Sequence, residues 1–348
     1  MNKKVSVVIL NWNGRKWLEQ FLPSVIRNSP EQIAQIVVAD NGSTDDSLEY
    51  VSTHYQQVLL IKLDKNYGFA GGYNRAIAQI KTPYTVLLNS DVEVTPGWLD
   101  APLQALEKNQ NVAAVQPKLL AYRHNNLFEY AGAAGGFLDK YGFPFCRGRV
   151  LETIEADKGQ YNQPCEVLWA SGAALFIRTA LYQNCGGLDE FFFAHQEEID
   201  LCWRLRNLGY QIACTPDSVV YHVGGGTLEM EHPRKTYLNM RNNLLMIYKN
   251  IDRGSLRKVM FVRFIFDYLI ALRFVLKGYW PNAKAVFRAR RDFHKARKQY
   301  KEFISKHPAN TQNTEDVILD KSIVIESMLR GKTTFSRLMN TIPLKYDK

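Results

Sequence analysis

The stretch "VSVVILNWNG" at residues 5–14 decides the fold class. Its first six residues form a mostly β-branched run of the length of a buried strand, and a polar Asn/Gly segment follows at once. Similar runs recur at 35–39, 58–62 and 84–88, with helical patterns between them. This succession predicts β-α-β units, and therefore an α/β fold whose mostly parallel central sheet is flanked by helices.

Each of the four predicted strands ends in a polar loop rich in Gly, Asn or Asp. The loops read "NWNG", "DNGSTDDS", "DKNYGFAGGYNRAI" and "NSDVEV". In an open α/β sheet the ligand crevice lies at the carboxyl ends of the strands, so the four loops predict one composite site.

The rest of the chain divides into three parts by its sequence pattern. Residues 112–178 alternate short strands with Gly-rich loops, and a helix is expected at 197–208. Helices are also expected at 233–250, 254–278 and 282–303, whereas the tail is weakly patterned. The predicted organisation is an α/β domain at 1–228, a helical basic extension at 229–303 and a tail at 304–348.

The charge of the 348-residue chain is unevenly distributed. The net charge is +10, and residues 251–300 alone contain thirteen Lys/Arg and three Asp/Glu among many aromatic residues. The high apolar content of 259–280 argues against a nucleic-acid surface and favours a helix in an anionic membrane interface. An ordinary packed helix pair with a basic outer face is the alternative.

The apolar stretches and the cysteine pattern predict a cytoplasmic protein. The longest apolar stretch, 261–280, is interrupted by four charged residues and is not a spanning helix. The five cysteines form no C-x-x-C pair, so we expect reduced thiols rather than disulfides or a zinc site.

Two of the strand-end loops carry candidate ligand-binding groups. Asp40 in "VADNGSTDDS" is either a turn residue or an acceptor for the imide of a pyrimidine base. The glycines of "NYGFAGGYN" precede a helix, where backbone amides could approach a phosphate, but their spacing matches neither a dinucleotide fold nor a P-loop.

A divalent metal site is the hypothesis for two other strand ends. Asp91 closes "VLLNSD", and His222 in "VVYHVGGGT" follows a later strand. A carboxylate and an imidazole together suit a divalent ion that would share oxygens with a substrate diphosphate. Each residue alone is more often structural.

Three carboxylates crowd the helix start in "AHQEEIDLCWRL" at 194–205. Helical spacing places Glu198 on the apolar stripe, Glu197 at its border and Asp200 on the solvent side in an i, i+4 pair with Arg204. Because burial raises the pKa of a carboxyl group, Glu198 is the candidate general base.

These motifs in this order resemble the family 2 glycosyltransferases, which have the GT-A fold, and within them the bacterial rhamnosyltransferase-like branch. The resemblance covers about residues 4–228, including "VSVVILNWNG", "VLLNSDVEV", "GGLDEFFFAHQEEIDLCWRLRNLGY" and "YHVGGG". It implies transfer of a sugar, with rhamnose as a candidate, from a nucleotide-diphosphate donor to a lipid-linked or cell-surface glycan. It also implies Mg²⁺ or Mn²⁺ and a peripheral location at the inner face of the cell membrane.

The resemblance assigns a role to individual residues. It implies Glu198 as the base and Asp91 and His222 as metal ligands, with Asp189 and Glu197 facing the acceptor. The implied donor-binding residues are Asn11, Asp40, Asn66, Asn74, Asn89, Ser90 and Asp91. Two positions depart from the family pattern, since Asn89 replaces the first acidic residue of its D-x-D motif and Glu198 stands where most relatives have Asp.

The implied mechanism is a single displacement that inverts the anomeric centre. Two alternatives stay open on the sequence alone: a catalytically silent subunit that binds a nucleotide sugar, and a nucleotidyltransferase. The intact Asp40, Asp91, Glu198 and His222 argue against the first. The second would require a Gly/Arg/Lys-rich phosphate loop after the first strand, and "NWNGRKW" is a poor version of one.

Overall fold

The computed structural model describes residues 3–224 and 232–339. The boundary predicted at 228 and the last nine residues of the predicted tail lie outside these ranges. The described strands are β1 (Val5–Asn11), β2 (Ala34–Asn41), β3 (Leu59–Leu63), β4 (Tyr84–Asn89), β5 (Val92–Val94), β6 (Val112–Ala121), β7 (His124–Phe128), β8 (Gly136–Asp139), β9 (Pro144–Cys146), β10 (Arg149–Val150), β11 (Thr153–Ile154), β12 (Cys165–Val167), β13 (Ala174–Arg178), β14 (Gln211–His222) and β15 (Ile318–Leu319).

The described helices include all those expected from the sequence. They are α1 (Arg15–Asn28), α2 (Ser47–His54), α3 (Gly68–Ile77), α4 (Asp100–Lys108), α5 (Thr179–Asn184), α6 (Glu197–Asn207), α7 (Pro233–Asn250), α8 (Arg253–Leu276), α9 (Trp280–Ala296), α10 (Lys301–Lys306), α11 (Ile323–Met328) and α12 (Phe335–Met339). The helix expected at 282–303 is in fact α9 and α10, joined by a short 3₁₀ turn.

The central sheet confirms the predicted α/β class, but it is mixed and not mostly parallel, since four of its described strand pairs are parallel and five are antiparallel. Its main strand order is β12-β14-β6-β13-β4-β1-β2-β3. β1 pairs in parallel with both β2 and β4, and β14 pairs in parallel with β6, whereas β13 is antiparallel between β4 and β6. The carboxyl ends of β1, β2 and β4 therefore meet at one edge, as predicted from their polar loops.

The two faces of the sheet are covered by different helices because apolar side chains alternate along its strands. In β2, Val38 faces a core formed with α1, α2 and α4, whereas Val37 faces the opposite core with α3, α6 and α7. Both residues are almost completely buried. The sheet is thus a middle layer that presents its strand ends, and not its faces, to a ligand.

The C-terminal segments pack on the α/β domain. β15 pairs in parallel with β8 in a second sheet of order β11-β10-β9-β8-β15, and the ring of Phe335 lies 5.2 Å from that of Phe137. Helices α7 and α9 pack with α6 in the core that contains Val37. None of the described helices combines the length and apolarity required to cross a membrane.

Candidate active site

Asn11 and Asp40 lie side by side at the ends of β1 and β2, as the strand register requires. The Asn11 Nδ2 donates to Asp40 Oδ1 at 3.3 Å, and the Ser43 amide donates to Asp40 Oδ2 at 3.0 Å. Both side chains are buried, yet Asn11 Oδ1 has no hydrogen-bond partner. A Cβ on Gly14 would lie 2.4 Å from that oxygen, so the glycine keeps this acceptor uncovered.

The predicted glycine-rich loop does begin a helix, but its amides have a protein partner. α3 starts at Gly68, and the amides of Phe69 and Ala70 donate to the carbonyl of Phe193 at 2.8 and 3.3 Å. Asn66 Oδ1 accepts from the Gly68 amide at 2.8 Å. The expectation of a phosphate at this helix N-terminus is therefore wrong for these two amides, because the 193 loop occupies them.

Asp91 and His222 meet as predicted, at the end of β4 and the end of β14. Asp91 Oδ1 lies 3.2 Å from His222 Nε2, and the side-chain Nδ2 of Asn89 lies 3.3 Å from the same nitrogen. His222 Nδ1 lies 3.3 Å from Glu129 Oε1. Ser90 is half-buried beside them. The imidazole thus stands between two carboxylates.

The opposite charges of Asp91 and His222 each stabilise the ionised form of the other side chain. Burial lowers the pKa of His222, but Glu129 and Asp91 outweigh that effect and raise it to about 10. Burial likewise raises the pKa of Asp91, while the imidazolium of His222 overcomes this and lowers it below its ordinary value. The carboxylate of Asp91 and, once Nε2 has lost its proton, the imidazole of His222 would fit a divalent ion of the Mg²⁺ or Mn²⁺ type. Among the described residues no group of three or more His, Cys, Asp and Glu side chains forms such a site, so the described part of the chain offers Asp91 and His222.

Asn74 and Asp189 are both engaged in holding the segment before α6. Asn74 Nδ2 donates to the Leu188 carbonyl at 2.8 Å, and its Oδ1 accepts from the Leu188 amide at 2.9 Å. Asp189 accepts from the Phe191 amide and forms a 2.7 Å ion pair with Lys249. These contacts give both side chains a positioning role, and their binding of donor or acceptor stays a prediction.

The three carboxylates of α6 differ from the helical-wheel expectation. Asp200 is fully buried, so its predicted place on the solvent side is wrong, although its pair with Arg204 exists at 2.9 Å. Glu197, expected at the border, is only 3% exposed, whereas Glu198 is half-buried. The reason is that α7 packs against the face of α6 that the wheel assigned to solvent.

Glu198 lies close to Gly172, whose neighbour Ala173 pairs with the end of β4. A Cβ on Gly172 would lie 3.7 Å from the Cβ of Glu198 and 3.3 Å from the ring of Phe69. The next residue, Ala173, accepts from the Asn89 amide at 3.0 Å. Burial raises the pKa of Glu198 to about 7, and burial with the neighbouring charge of Glu198 raises the pKa of Glu197 well above its ordinary value. Glu198 is thus a carboxylate tuned to accept a proton near neutral pH.

The loop that leads into Glu198 is strained. Phe193, His195 and Gln196 have φ angles of 65°, 71° and 74°, in the left-handed region that non-glycine residues rarely adopt. Such strain persists only where surrounding contacts fix the backbone, and it concentrates at functional sites.

Helix α7 supplies those contacts through three consecutive polar residues that the sequence reading missed. Asn242 Nδ2 donates to the carbonyls of Phe192, Ala194 and His195 at 2.8 to 3.0 Å. Arg241 donates to the carbonyl of Phe191 at 2.9 Å, and Asn243 donates to the Gln196 side chain at 3.1 Å. The signal was present in "MRNNLLM", since two adjacent asparagines inside an apolar helical run are unfavourable unless they have partners.

Replacing Asn242 by leucine should therefore lower activity while leaving the fold intact. The leucine keeps much of the side-chain volume but releases three carbonyls of the strained loop, which shifts Glu198 with it. We expect a loss of about 10²-fold in turnover, the order caused by misplacing a reacting group by 1 Å. Steady-state kinetics and circular dichroism measure the two effects. Asn239→Leu, on the same helix, is the control, and equal losses in both variants would contradict the loop-positioning role.

Comparisons with known proteins identify relatives of this chain. Residues 6–167 match the family described as "Glycosyl transferase family 2". The N-acetylglucosaminyl-diphospho-decaprenol L-rhamnosyltransferase of Mycobacterium tuberculosis is 28% identical over 240 residues, which cover 64% of this chain and 76% of that protein.

Solved structures show the same fold. GalNAc-T7 with UDP, GalNAc and Mn²⁺ superposes with a TM-score of 0.59 and 16% identity over 88% of this chain, which spans 58% of that protein. Residues 1–349 of Staphylococcus aureus TarS give a TM-score of 0.55 at 15% identity, covering 91% of this chain and 83% of that one. Residues 6–167 thus match the family 2 glycosyltransferases, and the chain has the GT-A fold.

Proposed function

We propose that this glycosyltransferase moves a sugar from a nucleotide-diphosphate donor to a hydroxyl group of a lipid-linked or cell-surface glycan, inverting the anomeric centre. The observation that carries the proposal is Glu198, a carboxylate with a pKa of about 7 next to Gly172, whose neighbour Ala173 pairs with Asn89 at the end of β4. The similarity to a rhamnosyltransferase makes rhamnose the first sugar to test.

In this mechanism Glu198 removes the proton of the acceptor hydroxyl as its oxygen bonds to the anomeric carbon. The bond from that carbon to the diphosphate breaks in the same step, with positive charge developing on the sugar ring as in glycoside hydrolysis. No second catalytic acid is required, because the diphosphate is a good leaving group. The α7 contacts hold the base in place before the acceptor arrives.

The donor side uses the residues at the strand ends. Asn11 Oδ1 and Asp40 are acceptors suited to the N–H groups of a nucleotide base. Asp91 and His222 would hold a divalent ion, Mg²⁺ or Mn²⁺, whose chemistry is to neutralise the charge that grows on the departing diphosphate. With Asn89 in place of a carboxylate, we expect that ion to bind loosely without the donor.

The proposal includes a peripheral position at the inner face of the cell membrane, supported by the inverted polarity of α8. Its charged residues Arg263 and Asp267 are almost fully buried, and Arg263 donates to the carbonyl of Tyr141. Its outer face instead exposes large apolar side chains, among them Phe261 at 66% and Leu276 at 79%. An exposed apolar stripe flanked by basic residues is typical of a helix in an anionic lipid interface.

A thermal-shift screen of nucleotide sugars with Mn²⁺ tests the proposed function. A donor that binds the folded protein at 100 times its dissociation constant should stabilise it by about 2.7 kcal/mol. We expect one nucleotide-diphosphate sugar to raise the melting temperature in wild-type protein and less so in Asp91→Asn. Absence of any stabilisation across UDP-, GDP- and dTDP-sugars would contradict donor binding.

A further inference from the structure

A cavity of about 600 Å³ opens between α7 and α9 and is lined by basic and aromatic side chains. Its basic wall residues are Arg234, Arg241, Lys284 and Arg288, and its aromatic wall residues are Phe193 and Tyr237. None of these residues is assigned to the donor or to the base. The cavity is therefore separate from the strand-end cluster.

The electrostatics of the cavity call for an anion. Arg234, Arg241, Lys284 and Arg288 contribute four positive charges, and among the described lining residues none is acidic. Asp292 borders the cavity: it accepts from the hydroxyl of Tyr237 at 2.9 Å, lies 3.6 Å from Arg288 and is also paired with Arg291 at 3.1 Å. Four cations that face one space repel each other, so a multivalent anion between them is stabilised.

One wall of the cavity is formed by the loop that leads into Glu198. Phe193 forms part of its wall, and the carbonyl of Phe193 accepts from the start of α3. Arg241, which is nine-tenths buried, lines the cavity and also donates to the carbonyls of Phe191 and Phe192. A ligand held here lies next to the loop that positions Glu198.

Another wall borders the exposed apolar face. On α9 the wall residues Pro281 and Arg288 are next in sequence to Trp280 and Phe287, which are 58% and 49% exposed. The ring of Phe287 lies 5.2 Å from that of Tyr268 on α8. The cavity thus lies between the loop that precedes Glu198 and the exposed apolar side chains of α9.

We infer that this cavity binds the diphosphate group of a membrane-embedded, lipid-linked acceptor. The inference rests on the proposed function and adds the chemistry by which the acceptor is recognised. The lipid chain leaves along the apolar face of α8 and α9, and the first sugar points toward Glu198. Arginine forks suit the phosphate oxygens, whereas Lys284 acts as a point charge at the rim.

The first test measures binding of inorganic diphosphate in the presence of EDTA, so that no metal contributes at Asp91. Lys284→Gln combined with Arg288→Gln should weaken binding about 10- to 100-fold, the range expected for losing charge-assisted contacts. Both residues are exposed, so the variant is expected to fold. The matched control, Lys295→Gln with Lys298→Gln, removes the same charge from exposed positions outside the cavity. Equal weakening in both variants, or no binding by wild-type protein, would overturn the inference.

The second test separates a lipid headgroup from free phosphate. With a prenyl-diphosphate-linked acceptor, the Lys284/Arg288 variant should raise KM about 10- to 100-fold with little change in kcat. With a soluble glycan acceptor that has no diphosphate, KM should be unchanged. Diphosphate binding without any effect on the lipid-linked KM would make the cavity a free-phosphate site and overturn the assignment. Donor stabilisation in the thermal-shift screen is independent of both results, so failure of the proposed function is recognised separately.

Discussion

Replacing Glu198 by glutamine is expected to lower turnover by roughly 10² to 10⁴, the contribution typical of a general base. Glutamine has nearly the same shape but cannot accept the proton of the acceptor hydroxyl. Nucleotide-sugar binding should be unchanged, because the residues predicted to hold the donor lie at or just after the ends of β1, β2, β3 and β4, or on α3, and none lies on α6. Single-turnover transfer and donor thermal shifts measure these two quantities separately.

The pH dependence of the transfer rate is a second measurement on the same variant. Burial raises the pKa of Glu198 to about 7, so the wild-type rate should fall as the pH drops through 7 and level off above it. The residual rate of Glu198→Gln should lack this limb. Glu19→Gln, at an exposed position of α1, is the matched control. If Glu197→Gln abolished transfer while Glu198→Gln retained the wild-type profile, the base would be Glu197.

The strand-end half of the site could be predicted from the sequence because it depends on local order. A strand of fixed length that ends in a polar loop places its last residue at the sheet edge whatever happens elsewhere in the chain. Parallel pairing of β1 with β2 then brings Asn11 against Asp40. The meeting of Asp91 with His222 followed from the same rule.

The half of the site around α6 could not be predicted in this way. A helical wheel assigns faces from one segment alone, and it assumes that the less apolar face is open to water. Here α7, which begins 26 residues after α6 ends, covers that face with polar side chains that match the charges of α6. Only the tertiary pairing reveals that Asp200 and Arg204 are core residues and that Asn242 holds the loop before the base.

The stability of the fold should also depend on Asp200, because this residue lies in a buried network and not on the solvent side as predicted. Asp200 is fully buried and accepts from Arg204 at 2.9 Å, from Lys249 at 2.8 Å and from Asn250 at 2.9 Å. Burial tends to raise the pKa of Asp200, but Lys249 and Arg204 outweigh it and lower the pKa below its ordinary value. The carboxylate therefore stabilises the fold above its unfolded pKa, and this contribution is lost as the pH falls through the lower folded pKa.

Asp200→Asn should lower the free energy of unfolding at pH 7 by about 3 to 5 kcal/mol, because it leaves two buried cations without their shared carboxylate. Urea unfolding measures the change, and the exposed Asp217→Asn should stay within about 0.5 kcal/mol of wild type. Adding Lys249→Met to Asp200→Asn removes the cation that Asp200 shares with Asp189, so the double variant should be less destabilised than the sum of the two single variants, by about 0.5 to 3 kcal/mol. Strict additivity would show that Asp200 and Lys249 do not stabilise each other.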